Sequence, residues 1–378
     1  WLVRTVLSYL LTYRKSLLIA DQKEYIASIT GLILNVVSYL AIILLVTWEQ
    51  NYLLALGIGT VTEVVLNIWI SWYVEQKYPF LRQRRKEKST SSLTKRIVRD
   101  LKSLFISRIS EKMLYCTDNL IISGFIGVGT VGRYANYCMI TQAISNILTI
   151  LANTIQPTVG DYFTEKNRQR NYEILRQLTF GFFCIASVVS VGLFSLITPF
   201  VRDIWLGPSY ELGWGITVFC IVVLLVRIMG LPLSLVMGVT GLFEKEKNVG
   251  ASSALLNLIV SLALVKPYGM AGVLLGTLLS YLLQILYRYI IYFRDFLEMP
   301  GEALRYAQDI GEYLAVIAGE VLLMQKIVPL IYGAGGMLLF CVCFLLCIAI
   351  PLLLDLVIFG RGWRLQSIVT MVKGMRKA

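Results

Sequence analysis

The chain alternates long apolar segments with short polar ones. Ten segments approach the roughly 20 apolar residues that a helix needs to cross the hydrocarbon core of a bilayer. They are Ile26–Trp48, Tyr52–Val74, Leu104–Ile126, Val131–Pro157, Leu178–Phe200, Ile216–Val239, Val249–Val265, Met270–Ile291, Tyr313–Leu330 and Met337–Phe359. Because backbone polar groups in lipid must be paired within the protein, this pattern predicts an all-α integral membrane protein with ten spans.

Composition narrows the class further. Hydrophobic residues make up 57% of the chain and charged residues 15%, which excludes an ordinary soluble domain. The net charge of +12 does not indicate a nucleic-acid partner, because the basic residues lie in short loops between apolar spans. There is no histidine, and the seven cysteines fall in apolar stretches, so we predict no metal site, no cofactor and no enzymatic activity.

Lysine and arginine positions predict the orientation. The longest connection, residues 77–102, holds ten basic residues and is expected to be cytoplasmic and to contact anionic lipid head groups. The loop at Lys166–Arg176 and the tail at Arg361–Lys377 then lie on the same side, and Arg202 and Lys266 remain opposite. We therefore predict a multi-pass protein of the cytoplasmic membrane with both ends of the chain inside.

A weak internal repeat predicts the domain organisation. The surroundings of Asn35 and Gly59 resemble those of Asn257 and Gly276. A repeat across six crossings is typical of transporters built from two parallel lobes. We therefore expect an N-terminally truncated chain that lacks about four helices of its first lobe. The predicted parts are the end of the N-terminal lobe (1–76), a basic linker (77–102), a six-helix lobe (103–292), and two additional helices with a basic tail (293–378).

The third span carries the most informative charges. On a helix, one face would hold Arg108, Lys112, Tyr115 and Asn119, with Glu111 and Asp118 beside it. A charge at the centre of a bilayer costs about 2.5–3.5 kcal/mol, so this face is expected to meet water or a polar partner. Two readings stay open: a cationic patch that binds substrate in a transport cavity, or an Arg108–Glu111 pair that only neutralises itself.

Further polar residues within the spans are candidates for the same cavity. The fourth span carries an uncharged stripe at Gln142, Asn146, Thr149 and Asn153, which suits sugar hydroxyls but also suits helix–helix hydrogen bonding. Arg227 is a third candidate for a cationic lumen, and Gly230 and Pro232 beside it predict a broken helix. Asp118, Glu63 and Glu320 are candidates to carry a coupling proton or sodium ion.

Several short stretches resemble one family of membrane proteins. They are Leu17–Ile26, Asp118–Ile122 followed by Gly132–Tyr137, Ile204–Gly207 with Tyr210, and Thr240–Leu242. The chain is similar there to polysaccharide or oligosaccharide-lipid flippases of the multidrug/oligosaccharidyl-lipid/polysaccharide exporter superfamily. The resemblance implies a two-lobe bundle of fourteen helices when complete, of which about ten are present.

The resemblance also implies a function. Such proteins move undecaprenyl-pyrophosphate-linked oligosaccharide repeat units across the cytoplasmic membrane for capsule or surface polysaccharide, by alternating access between the lobes. Arg108, Lys112 and Arg227 would then receive the pyrophosphate, and polysaccharide polymerases and glycosyltransferases are candidate contacts. The alternatives are a peptidoglycan-precursor flippase, a drug/cation antiporter of the same superfamily and, less favoured, a membrane-embedded polysaccharide polymerase.

Overall fold

The computed structural model describes residues 15–21, 23–49, 52–79, 116–163, 167–240, 242–333 and 335–360, and is helical almost throughout them. The helices are α1 (Lys15–Ala20), α2 (Glu24–Glu49), α3 (Tyr52–Lys77), α4 (116–125), α5 (Val128–Tyr162), α6 (Arg168–Pro199), α7 (Trp214–Val239), α8 (Phe243–Ile291), α9 (Pro300–Tyr332) and α10 (Met337–Phe359). Short π-helical turns at Phe200–Trp205 and Tyr292–Leu297 extend α6 and α8, and a 3₁₀ turn lies at Pro208–Tyr210.

In these ranges, eight helices are long and apolar enough to cross a membrane. Seven of them coincide with single predicted spans, and α8 contains the seventh and eighth spans together. Of the predicted third span, the structure describes only the part from residue 116 onward. The prediction of an all-helical, multi-pass membrane protein is confirmed.

Helix α8 is a hairpin rather than one rod. Its backbone leaves the helical region at Gly269, where φ is 58° and ψ is −135°. Positive φ is accessible to glycine at little cost. On either side the two arms run antiparallel in contact: the Asn257 amide donates to the Thr277 hydroxyl at 2.8 Å, and the Ser261 hydroxyl donates to the Val273 carbonyl at 3.2 Å. The two arms correspond to the two spans that the sequence predicted.

The chain divides into two compact units, residues 1–94 and 95–378. In the first unit α2 and α3 pack together, and Leu18 of α1 is buried with Ile70 and Val74 of α3. Lys23 and Tyr78 both donate hydrogen bonds to Asp21, and these bonds, that from Lys23 first, lower the pKa of the Asp21 carboxyl. The boundary at residue 94 lies inside the predicted linker, while the predicted domain limits and internal repeat remain predictions.

The second unit contains a bundle of α6, α9 and α10. Contacts at both ends show that α6 and α9 are parallel: Arg176 binds Asp309 near their starts, and Asp203, just after α6, accepts from Tyr332 at the end of α9. Helix α10 runs the other way: Phe340 near its start packs against Phe200 at the end of α6, and its last residue, Phe359, packs against Phe183 in the middle of α6. These directions agree with the alternating crossings that the sequence predicted.

Helix α7 corrects one expectation. It continues from Trp214 to Val239 with Pro232 inside it, so the predicted broken helix is wrong. Gly230 has a different part in the packing, because a Cβ atom there would lie 2.9 Å from Ile285 Cγ1 of α8. The small residue lets α7 and α8 approach closely, as is common between membrane helices.

The close approach of the α8 arms generates a stability prediction. A Cβ atom at Gly272 would lie 2.3 Å from the Leu264 carbonyl oxygen, which is backbone and cannot move without deforming the arm. Gly272→Ala should therefore destabilise the protein by about 1–3 kcal/mol, measured as a lower Tm of the full chain in detergent. The matched control is Gly311→Ala in α9, where a Cβ meets nothing within 4 Å and helix propensity favours alanine. Equal Tm values for the two variants would contradict this account of the hairpin.

Candidate functional site: a polar cavity in the second unit

A cavity of about 370 Å³ lies within the second unit, among α4, α5, α7 and the second arm of α8. Its wall combines polar and apolar groups: Asp118, Asn119, Tyr134, Ala135, Cys138, Met139, Thr141, Gln142, Cys220, Val223, Arg227, Leu274, Thr277 and Tyr281. Four residues that the sequence singled out, Asp118, Asn119, Gln142 and Arg227, therefore share one cavity although they come from three helices. Its volume is in the range of small-ligand pockets.

Arg227 supplies positive charge to this wall. It lies half-buried on α7, with its guanidinium carbon 5.4 Å from the centroid of the Tyr281 ring of α8. Attraction between the cation and the face of the ring stabilises the guanidinium at this position. Because a guanidinium can bind an anionic oxygen through two N–H groups at once, Arg227 is suited to a phosphate or carboxylate in the cavity.

Asp118 is the centre of a buried hydrogen-bonded cluster. Its side chain is only 4% exposed, and its Oδ2 accepts a hydrogen bond of 2.7 Å from the Thr277 hydroxyl, which in turn accepts from Asn257. Oδ1 of Asp118 and Oδ1 of Asn257 are both buried without a hydrogen-bond partner. Buried polar atoms are nearly always paired, so two orphaned oxygens in one cluster indicate a place where a positive group fits.

The polar stripe of α5 is only partly in the cavity. Gln142 lines it and donates to the Asn146 side-chain oxygen at 2.9 Å, while Thr149 donates to the Ser145 carbonyl at 2.8 Å. Both bonds stay within α5, and Asn146, Thr149 and Asn153 are exposed in this unit. The bonds described here are therefore not helix–helix bonds, and the stripe leads away from the cavity wall along α5.

The three acids proposed as ion carriers lie in different places. Asp118 lines the cavity, and Glu320 is buried between α9 and α6, where it accepts a 2.6 Å hydrogen bond from Ser187. Glu63 belongs to the first unit, half-buried on α3, and its carbonyl accepts from the Asn67 amide. Asp118 and Glu320 are thus separate sites within one unit.

Three predicted site residues lie outside the described part of the chain, and one residue of the cavity cluster was not predicted. Arg108, Lys112 and Tyr115 lie outside the described residues, as do the tail and most of the basic linker. Thr277 was not predicted as a site residue, although it follows Gly276 in the internal repeat. A hydroxyl within an apolar span is too common to identify a site until another helix places an acid against it.

Comparison with known proteins bears directly on the family. Residues 1–163 match the family model described as "Polysaccharide biosynthesis protein". The predicted family resemblance is confirmed. The match includes all of α4 and α5, and so the part of the cavity wall that carries Asp118 and Gln142. A search of curated proteins finds no match.

A solved structure shares the fold. The chain is similar to "Lipid II flippase MurJ, inward closed conformation", with a TM-score of 0.66 and 15% sequence identity over 93% of this chain and 71% of that one. At this identity the similarity shows the fold alone. The all-helical architecture is therefore MurJ-like.

The cluster around Asp118 generates a prediction for Thr277. Thr277→Val keeps the shape but removes both the donor to Asp118 and the acceptor for Asn257. Leaving such groups unpaired should cost about 1–3 kcal/mol of stability, seen as a lower Tm of the full chain. Thr277→Ser keeps the hydroxyl and should stay close to the wild type. If the valine and serine variants melt together, the hydrogen bonds do not stabilise this part of the bundle.

Proposed function

We propose that the protein is a flippase for a polyprenyl-pyrophosphate-linked saccharide in the cytoplasmic membrane, with both ends of the chain inside. The observation that carries this proposal is the cavity that Arg227 lines together with the amide residues Asn119 and Gln142. A guanidinium suits the pyrophosphate, and amides offer both donors and acceptors to sugar hydroxyls. The family match and the MurJ-like fold support a transporter rather than an enzyme.

The saccharide is proposed to be an oligosaccharide repeat unit for surface polysaccharide. The family description, "Polysaccharide biosynthesis protein", supports this choice. The fold comparison favours a second candidate, a peptidoglycan precursor, because the similar structure is named a lipid II flippase. Both cargoes pair an anionic pyrophosphate with a sugar, so the cavity chemistry serves either. Alternating access remains the predicted mechanism.

A deletion experiment with Arg227 variants tests the function. Cells lacking the gene should lose surface polysaccharide and accumulate the lipid-linked repeat unit facing the cytoplasm. Arg227→Gln should restore export poorly at a normal protein level, because loss of a charge-assisted hydrogen bond of about 1.5–3 kcal/mol weakens binding by about 10–100-fold. Lys326→Gln removes an exposed cation of α9 outside the cavity and should restore export fully.

Three outcomes would contradict the proposal in different ways. Normal export in the deleted cells would reject the flippase function. Accumulation of lipid-linked peptidoglycan precursor instead would transfer the assignment to the second candidate. Increased drug sensitivity with unchanged polysaccharide would favour an antiporter. Equal export by the Arg227 and Lys326 variants would remove Arg227 from the substrate site and leave the function standing.

We also propose that Asp118 binds the coupling ion as a sodium site. The Asp118 carboxylate accepts from the Thr277 hydroxyl, and that hydroxyl accepts from the Asn257 amide. The remaining side-chain oxygens of Asp118 and Asn257 are buried without a hydrogen-bond partner. Oxygen ligands are preferred by hard cations, and a single negative charge suits a monovalent one. A proton is the competing occupant of the same oxygens.

Thermal stability separates sodium from a proton. Sodium chloride should raise the Tm of the purified wild type relative to choline chloride at equal ionic strength, because an ion that binds only the folded state stabilises it. Asp118→Asn should abolish that increase. If sodium does not change the Tm, and the Tm varies with pH in the wild type but not in Asp118→Asn, the site binds a proton instead.

A further inference from the structure

A pair of acids lies apart from the cavity, in the bundle of α6, α9 and α10. Glu320 of α9 and Asp355 of α10 are each only 3% exposed. The Ser187 hydroxyl of α6, which is fully buried, donates to Glu320 Oε2 at 2.6 Å. Asp355 is close enough to both Glu320 and Ser187 to interact with them electrostatically. Three helices thus meet at two carboxyl groups.

Most of the oxygens at this meeting point lack partners. Glu320 Oε1 and both carboxyl oxygens of Asp355 are buried without a hydrogen bond, and so is the hydroxyl of Ser190, one helical turn beyond Ser187. Ser190 is 1% exposed. An unpaired buried carboxylate is far less stable than one that is paired or neutral, so a positive charge or a hydrogen is missing from this arrangement.

No basic side chain of the three described helices neutralises the pair. Arg176 of α6 is bound to Asp309 and precedes Ser187 by eleven residues, about 16 Å along a helix. Lys326 of α9 is exposed, and α10 contains no lysine or arginine between Met337 and Phe359. Of the neighbouring helix α7, Arg227 lies in the cavity against Tyr281. The remaining titratable neighbour, Cys184 of α6, is a thiol within range of both acids.

We propose that Glu320 and Asp355 form a proton-binding site, in which a carboxyl O–H of one donates to the other and links α9 to α10. A proton satisfies orphaned oxygens on both residues and needs no space. Hard metal ions such as Ca²⁺ and Mg²⁺ take six or more oxygen ligands, which the orphaned side-chain oxygens here do not supply. Two adjacent carboxylates cannot both ionise without a compensating charge. The site does not depend on which saccharide is transported, and it is separate from Asp118.

Proton release from this site has a structural consequence. A doubly ionised pair repels itself, and the charges can be stabilised only by water reaching the space between α6 and the α9–α10 hairpin. Loss of the proton should therefore loosen these three helices, while the cavity among α4, α5, α7 and α8 keeps its own contacts. Proton exchange at the pair and separation of the hairpin from α6 are the same event.

Infrared spectroscopy of the purified full chain tests the site directly. The wild type at neutral pH should show a protonated carboxyl band that shifts in D₂O, and the isosteric Glu320→Gln/Asp355→Asn variant should lose that intensity. Asp203→Asn is the matched control, because it removes a carboxylate that is paired with Arg202 and should leave the band unchanged. A band of equal intensity in the wild type and the double variant would overturn the proposal.

A second measurement keeps the proposal falsifiable if the band is weak. A proton held more tightly in the folded than in the unfolded chain stabilises the fold at low pH, and that stability is lost as pH rises. The wild-type Tm should therefore fall as the pH is raised and the pair loses its proton, and it should fall less in the double variant. If the Tm of the wild type and that of the double variant depend equally on pH, the proposed proton site is wrong. A sodium-dependent Tm that the double variant loses and Asp118→Asn keeps would replace it by a metal ion.

Discussion

An acid inside a membrane-spanning helix must receive a partner from another helix, and this requirement organises the second unit. Asp118 of α4 accepts from Thr277 of α8, Glu320 of α9 accepts from Ser187 of α6, and Asp309 of α9 binds Arg176 of α6. Apolar contacts between helices are nearly as favourable with lipid as with protein, so they select partners weakly. The acids select them strongly, because each leaves an unpaired charge if the wrong helix packs against it.

These pairings divide the unit into two polar centres with different chemistry. The centre around Asp118 and Arg227 opens into a cavity and offers both signs of charge together with amides. The centre around Glu320 and Asp355 is closed and purely acidic. A cargo with an anionic head and hydroxyl-rich groups fits only the first. The second is buried among three helices, which makes it suited to regulating their packing rather than to binding cargo.

The sequence predicted the spans well because crossing length and apolarity are local properties. It even separated the two arms of α8, since Lys266, Pro267 and Gly269 interrupt the apolar run. It also indicated Asp118, Gln142 and Arg227, because polar groups within apolar spans are unfavourable in lipid. It could not place them in one cavity, because that requires the packing of α4, α5 and α7. Asp355 was overlooked although it is the one charge within α10. A single acid among apolar residues carries no pattern, and only its position against Glu320 makes it informative. The predicted break at Pro232 was wrong for a related reason. A proline is accommodated within a helix when neighbouring helices pack against both sides of that turn.

The pairing of Arg176 with Asp309 has a consequence for biosynthesis. These residues are separated by 133 positions, yet they join the starts of two parallel helices. During translation α6 is therefore synthesised well before the counter-ion of Arg176. The ion pair can form only once α9 is present, so a helix synthesised later completes the anchoring of one inserted before it.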